Sequence, residues 1–193
     1  MDYTAMEITD YYSLAEKTLS EYRFYHSKMV AKAAKELAIK YGADIKKAEL
    51  AGILHDITKE MPLNNQLQLL EDNGIMLDSV TKSNTQILHA VSGSVYCEFM
   101  LDIKDSDVLN AIRFHTTARA NMSLLEKIVF VADFISDDRT YPDIDIMRQQ
   151  ADKSLENGMK YALSFVIKNL VERSGCVHPD AIDAYNEIIM KGI

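Results

Sequence analysis

The sequence predicts an all-α helical bundle, and three observations carry that expectation. Glycine and proline number only 7 and 3 in 193 residues, so helix breakers are scarce. Apolar residues recur at helical spacing through most of the chain. Hydrophobic residues form 48% of it, enough for a sizeable core in a chain of single-domain length.

Thr4 to Leu19 reads as a first, short helix. From His26 the spacing of Met29, Val30, Ala33, Ala34, Leu37, Ala38 and Tyr41 is helical and ends at Gly42. Asp44 is placed to cap the next helix, which runs through Ala48, Leu50, Ala51 and Leu54 to His55-Asp56. Neighbours on a helix point about 100° apart, so this His and Asp converge only where the helix ends. The β-branched pair Ile57-Thr58 and then Pro62 fit a helix that stops there. Pro62 to Asp72 is a fourth helix, closed by Asn73-Gly74, and the polar stretch Asp78 to Asn84 is a loop or a broken turn. Thr85 to Gly93, with His89 in an apolar setting, leads into a helix to Met100. Asp105 to Phe114 carries Val108, Leu109 and Ile112 on one face and delivers His115.

Ser123 starts a helix, with Glu126 completing a capping box. Asp133 stands among Val131, Ala132, Phe134 and Ile135, where a carboxylate is costly unless paired, hydrogen-bonded or bound to metal. Tyr141-Pro142-Asp143 is a turn. Asp143 to Gln150 and Asp152 to Ser174 are helical, and Gly175 ends the second. Asp180 to Met190 is a last helix, with Pro179 near its first turn. No repeat or linker interrupts the chain. Residues 1–193 read as one domain, with a core over about 22–140 and C-terminal helices over 143–193 that complete the site.

Charge narrows the function. Lys and Arg number 21 and Asp and Glu 29, a net of −8, which argues against nucleic acid or an acidic membrane as partner. No run approaches 18 apolar residues, so no membrane span is expected. Met1-Asp2-Tyr3-Thr4 lacks the pattern of a signal peptide, and Cys97 and Cys176 form no motif, so a cytoplasmic, reduced protein is expected. A small anionic substrate remains compatible if cations gather locally.

The residues suited to chemistry are His26, His55-Asp56, His89, His115 and Asp133. Each alone has a plain structural explanation, such as a core histidine satisfied by one hydrogen bond. As a set of imidazoles and carboxylates without thiolates, they suit iron or manganese better than structural zinc. The ordered pattern H…HD…H…H…D resembles the HD-domain superfamily of metal-dependent phosphohydrolases. Longer blocks resemble the YqeK family of bacterial symmetrical diadenosine tetraphosphate hydrolases: Arg23-Phe24-Tyr25-His26-Ser27, Leu54-His55-Asp56-Ile57-Thr58-Lys59, Leu88-His89-Ala90, Ala111-Ile112-Arg113-Phe114-His115-Thr116-Thr117, Asn121 to Lys127, Ala132-Asp133 and His178-Pro179. The resemblance spans about Tyr22 to Asn186.

That resemblance implies an HD-domain helical bundle with a metal centre held by His26, His55, Asp56, His89, His115 and Asp133. It points to iron, one or two ions, with manganese as an alternative. Asp56, between two sites, and Lys59 are the expected catalytic residues. Substrate contacts are expected from Arg23, Lys59, His89, His115, Thr116, Thr117, Arg119, Asp133, Arg139 and His178. The implied reaction is attack of metal-bound hydroxide on an inner phosphorus of a dinucleoside polyphosphate, giving two ADP. Two other readings stand beside it: a different HD nucleotide phosphohydrolase or phosphodiesterase, and a non-catalytic nucleotide-binding module. The amphipathic Asp152–Ser174 helix packs either internally or across a homodimer.

Overall fold

The computed structural model describes residues 6–192, and every regular element among them is a helix. In chain order these are α1 (Ile8–Thr18), α2 (Glu21–Tyr41), α3 (Ile45–Leu54), α4 (Leu63–Asp72), α5 (Ser79–Ser83), α6 (Thr85–Phe99), α7 (Ser106–Arg113), α8 (Leu124–Ile135), α9 (Ile144–Lys153), α10 (Leu155–Glu172) and α11 (Pro179–Met190). The expected first helix begins in part outside the described residues; its described portion is α1. No described helix is long and apolar enough to cross a membrane.

The caps foreseen from the sequence form. Asp44 accepts from the backbone N–H groups of Lys46 and Lys47. Ser123 and Glu126 close a reciprocal capping box. Gly42 takes φ 75°, the left-handed conformation that a residue without Cβ adopts cheaply. Three boundaries differ from expectation. α2 begins at Glu21, because the Ser20 hydroxyl accepts from the Arg23 N–H, so Arg23 and His26 share one helix. Asp78 caps Val80 and Thr81 and turns the polar stretch into the short α5. The helix expected from Asp152 starts at Leu155, because extended Ser154 caps Asn157 and divides α9 from α10.

α8 is the centre of the bundle. Leu125 and Ile128 to Ala132 are all buried, and α2, α7 and α10 pack around them. α2 and α3 approach closely through Gly52, where an added Cβ would lie 2.7 Å from the Ala31 Cα. α10 packs on α8, α9 and α11. Met147, Leu155, Met159, Leu163, Ala184 and Ile188 from the last three helices join the same apolar cluster as Val30, Ile53 and Phe130. A smaller cluster of Leu70, Leu88 and Val95 lies under α4 and α6.

Candidate metal centre and substrate cleft

Six of the side chains singled out by the sequence converge at one buried place. His26 lies inside α2, His55 and Asp56 follow the last turn of α3, and His89 lies inside α6. His115 follows α7, and Asp133 lies in the last turn of α8. The four histidines and Asp56 are each at most 3% exposed. Asp56 stands in the middle. Its Oδ2 lies 3.5 Å from His55 Nε2 and 4.0 Å from His26 Nε2. Its Oδ1 lies 3.0 Å from His89 Nε2 and 3.6 Å from His115 Nε2. Asp133 Oδ1 closes the first side, 3.0 Å from His26 Nε2 and 3.9 Å from His55 Nε2. Each carboxylate oxygen of Asp56 therefore faces a different pair of imidazoles.

The opposite edges of the rings are held from outside. His55 and His115 each follow a helix end, and each sets Nδ1 against the carbonyl three residues earlier, Gly52 at 2.8 Å and Ile112 at 2.7 Å. A neutral ring that donates there keeps its Nε2 lone pair pointing inward. His26 sets Nδ1 against Asp138 Oδ2 at 2.7 Å. The His89 backbone is held by a buried chain: Thr58 Oγ1 donates to the His89 carbonyl at 2.9 Å and meets Ser92 Oγ at 2.9 Å, and Ser92 donates to Gln66 Oε1 at 2.8 Å. Asp138, Thr58, Ser92 and Gln66 were not foreseen, since nothing in local spacing marks them.

Cations surround the acidic centre. Arg23 Nη1 donates to Asp56 Oδ2 at 2.8 Å. Arg139 donates from Nε to the Asp133 carbonyl at 2.7 Å and from Nη2 to the Asp133 carboxylate. Lys59 Nζ lies 3.1 Å from both ring nitrogens of His89. Burial acts against charge on every group, and partners decide the outcome. Burial pushes the Asp56 carboxyl up, but the His55, His115 and His89 imidazoles outweigh it and hold it well below the usual range. Asp133 is likewise held low against its burial, by Arg139 and then His26. Burial lowers His55 to about 3 and His89 to about 4. His26 goes the other way, since Asp133 overcomes its burial and raises it. Burial also lowers the Lys59 ammonium, with Asp56 opposing.

The donor set fits a metal. Three overlapping triads, His26–His55–Asp56, His55–His115–Asp133 and Asp56–His89–His115, each place their ligand atoms within 4.8 Å of one another. His55 Nε2 is buried with no hydrogen-bond partner, an uncompensated lone pair in a polar cluster. A cation between these atoms satisfies it and replaces contacts between like groups.

The expected substrate residues divide. Arg23, Lys59 and Arg139 are at the centre. Thr116, Thr117 and His178 line a shallow, solvent-open cleft with Asp78, Thr81 and Phe114, built on the turn that carries His115. In it the Thr116 hydroxyl is buried and unpartnered, while Thr117 Oγ1 donates to the Ala118 carbonyl. His178 caps α11 through Nδ1 and sets Nε2 3.2 Å from Asp78 Oδ2. Arg119 is engaged elsewhere. Ala118 adopts φ 54° and redirects the chain, and the Arg119 guanidinium is held by the fully buried Glu126 through Nε at 2.8 Å and Nη2 at 3.1 Å. That pairing gives Arg119 a structural task, because a buried carboxylate demands a partner.

A helical bundle that gathers four imidazoles and two carboxylates at one buried point defines the metal-dependent phosphohydrolase class of HD proteins. The HD domain family matches residues 23–137. The chain is 38% identical to the symmetrical bis(5'-nucleosyl)-tetraphosphatase of Halalkalibacterium halodurans, over 92% of this chain and 95% of that one. It is 33% identical to the protein of the same name from Bacillus subtilis, over 90% and 93%. The crystal structure of a predicted HD superfamily hydrolase involved in NAD metabolism from Clostridium acetobutylicum superposes with a TM-score of 0.93 at 34% identity, covering 97% of this chain and all of that one. The chain therefore belongs to the HD-domain family and, within it, to the symmetrical bis(5'-nucleosyl)-tetraphosphatases of the YqeK type.

Proposed function

We propose that this chain hydrolyses diadenosine tetraphosphate, and related dinucleoside polyphosphates, symmetrically to two nucleoside diphosphates. The observation that carries the reading is the buried convergence of His26, His55, Asp56, His89, His115 and Asp133, with the unpartnered Nε2 of His55 at its heart. These six residues hold the metal. Iron is the ion that the thiolate-free donor set and the family likeness support, as one or two ions, with manganese as the alternative. When bound, the metal supplies Lewis acidity to a water and neutralises charge on the phosphoryl group.

The chain's own residues do the rest. Asp56, with an oxygen toward each imidazole pair, sets the spacing and the charge of the centre. Lys59 and Arg139, half-buried beside it, bind nonbridging phosphate oxygens and stabilise the charge that develops there. Arg23 neutralises the phosphate chain on the α2 side. The cleft beside Thr116, Thr117 and His178 receives one nucleoside diphosphate half, so that an inner phosphorus comes to rest at the centre. Water attacks that phosphorus, the central P–O–P bond breaks, and two ADP leave.

Incubation of the metal-loaded protein with diadenosine tetraphosphate, followed by ion-exchange chromatography, tests the reading. ADP as the only nucleotide product is expected. ATP plus AMP, or no turnover, overturns it.

A further inference from the structure

A symmetrical substrate has two identical halves, and a cut at its centre needs both to be placed. The cleft proposed for one half is lined by Thr116 and Thr117, which directly follow His115, one of the two imidazoles facing Asp56 Oδ1. On the opposite side Asp56 Oδ2 faces His26 and Arg23. There the first turn of α2 presents Tyr22, 69% exposed, and Tyr25, 49% exposed. An exposed aromatic ring beside a cluster of cations offers a π face to a planar ligand. The Arg23 guanidinium carbon lies 5.7 Å from the centre of the Tyr22 ring, while Arg23 Nη1 is 2.8 Å from Asp56. One side chain thus links the catalytic carboxylate to the ring. The turn is also fixed in place. Glu60 accepts from the Ser20 N–H at 2.6 Å and from the Ser20 hydroxyl at 2.7 Å, which ties the start of α2 to the turn that follows Lys59.

We propose that Tyr22 and Arg23 form the subsite for the second, leaving nucleoside diphosphate: the purine stacks on the Tyr22 ring and the Arg23 guanidinium pairs with the adjacent phosphates. A π face is sequence-tolerant toward bases, and a planar guanidinium suits phosphate oxygens. The geometry matches that chemistry. Ring and guanidinium are adjacent in sequence, one exposed and one reaching inward, so a nucleotide lying along the first turn of α2 meets the ring with its base and the cation with its phosphates. The proposal rests on symmetric hydrolysis as the function and specifies which surface serves the second half.

The test compares two substrates that differ only in the far nucleoside: diadenosine tetraphosphate, and adenosine 5'-tetraphosphate, which lacks the second adenosine. Tyr22→Ala lowers kcat/KM for the dinucleotide by about fivefold or more, the range expected for one lost base–aromatic stack, through KM rather than kcat. It leaves kcat/KM for adenosine tetraphosphate within about twofold of the unaltered protein, and Tyr22→Phe restores the dinucleotide value. Calorimetric titration with a methylene-bridged, uncleavable dinucleotide shows the same loss of affinity for Tyr22→Ala and not for Tyr22→Phe. Equal effects on both substrates, or none on either, overturn the subsite. Failure of the unaltered protein to cleave the dinucleotide to ADP is a separate result: it removes the proposed function and the subsite with it.

Discussion

Gly52 sets two physical effects against each other, and the structure decides between them. It lies within α3, where replacing glycine by alanine normally stabilises a helix by about 0.8–1 kcal/mol. Here the new Cβ would stand 2.7 Å from the Ala31 Cα and 3.0 Å from its nitrogen, both backbone atoms of α2, where ordinary contact is 3.4–4 Å. No side chain is available to swing away, so the helices must separate by nearly an ångström. Overpacking of this kind costs about 1–3 kcal/mol, and relief by moving backbone lies at the upper end. We therefore expect Gly52→Ala to destabilise by about 1–2 kcal/mol net. In a domain of this size that lowers Tm by about 2–8 °C by scanning calorimetry. The Gly52 carbonyl also orients His55 through Nδ1, so metal affinity falls with stability. A Tm that is unchanged or raised would show that α2 and α3 have room for the added Cβ and that the close contact at Ala31 does not hold.

Three further outcomes follow from the same geometry. Asp138→Asn keeps the size of the side chain but removes the carboxylate that holds His26 Nδ1, so metal affinity in a competitive chelator titration should fall by about 10–100-fold with little change in Tm of the metal-free protein; unchanged affinity would remove Asp138 from the centre. Arg119→Met leaves buried Glu126 without its main partner, so Tm should drop while kcat/KM stays within about twofold, since a lost partner costs about 1–3 kcal/mol and the guanidinium is committed to Glu126; a selective loss of activity would assign it to the substrate instead. The metal-free protein should lose stability as pH falls from about 6.5 to 4, the interval between the ordinary histidine value and the depressed ones. In that window the unfolded chain takes up protons that folded His55 and His89 refuse; His26, raised by Asp133, opposes but is one group against two. Denaturant midpoints at pH 7 and pH 5 measure this, and a higher midpoint at pH 5 would reverse the assignment.

What the sequence disclosed was what local rules govern. Asp44, Gly42 and the Ser123–Glu126 box mark helix ends because capping is a contact over two to four residues. His55-Asp56 was legible because a helix ending there lets adjacent side chains converge, and the chain does leave α3 at Leu54. Asp133 stood out because its neighbours are apolar. What stayed hidden depends on the chain returning from far away. Asp138 meets His26 across 112 residues, and Gln66, Ser92 and Thr58 look like ordinary surface polar residues until α4 and α6 bury them together. The pairing of Arg119 with Glu126 was not legible, because proximity in sequence to His115 says nothing about the left-handed step at Ala118 that takes it there. The break between α9 and α10 was legible, but it falls at Ser154 rather than at Ala151, because one hydroxyl, rather than a glycine or proline, sets the boundary.

Metal binding by His26, His55, Asp56, His89, His115 and Asp133 together is open to direct measurement. Crystals of the protein purified without oxygen, with diffraction recorded on both sides of the iron absorption edge, provide it. One or two anomalous peaks are expected, each at about 2.0–2.3 Å from inward-facing Nε2 and carboxylate oxygen atoms, with His55 Nε2 among the ligands of at least one. Anomalous density that avoids this cluster, or a cluster left without any peak in protein shown to carry stoichiometric metal, would contradict it.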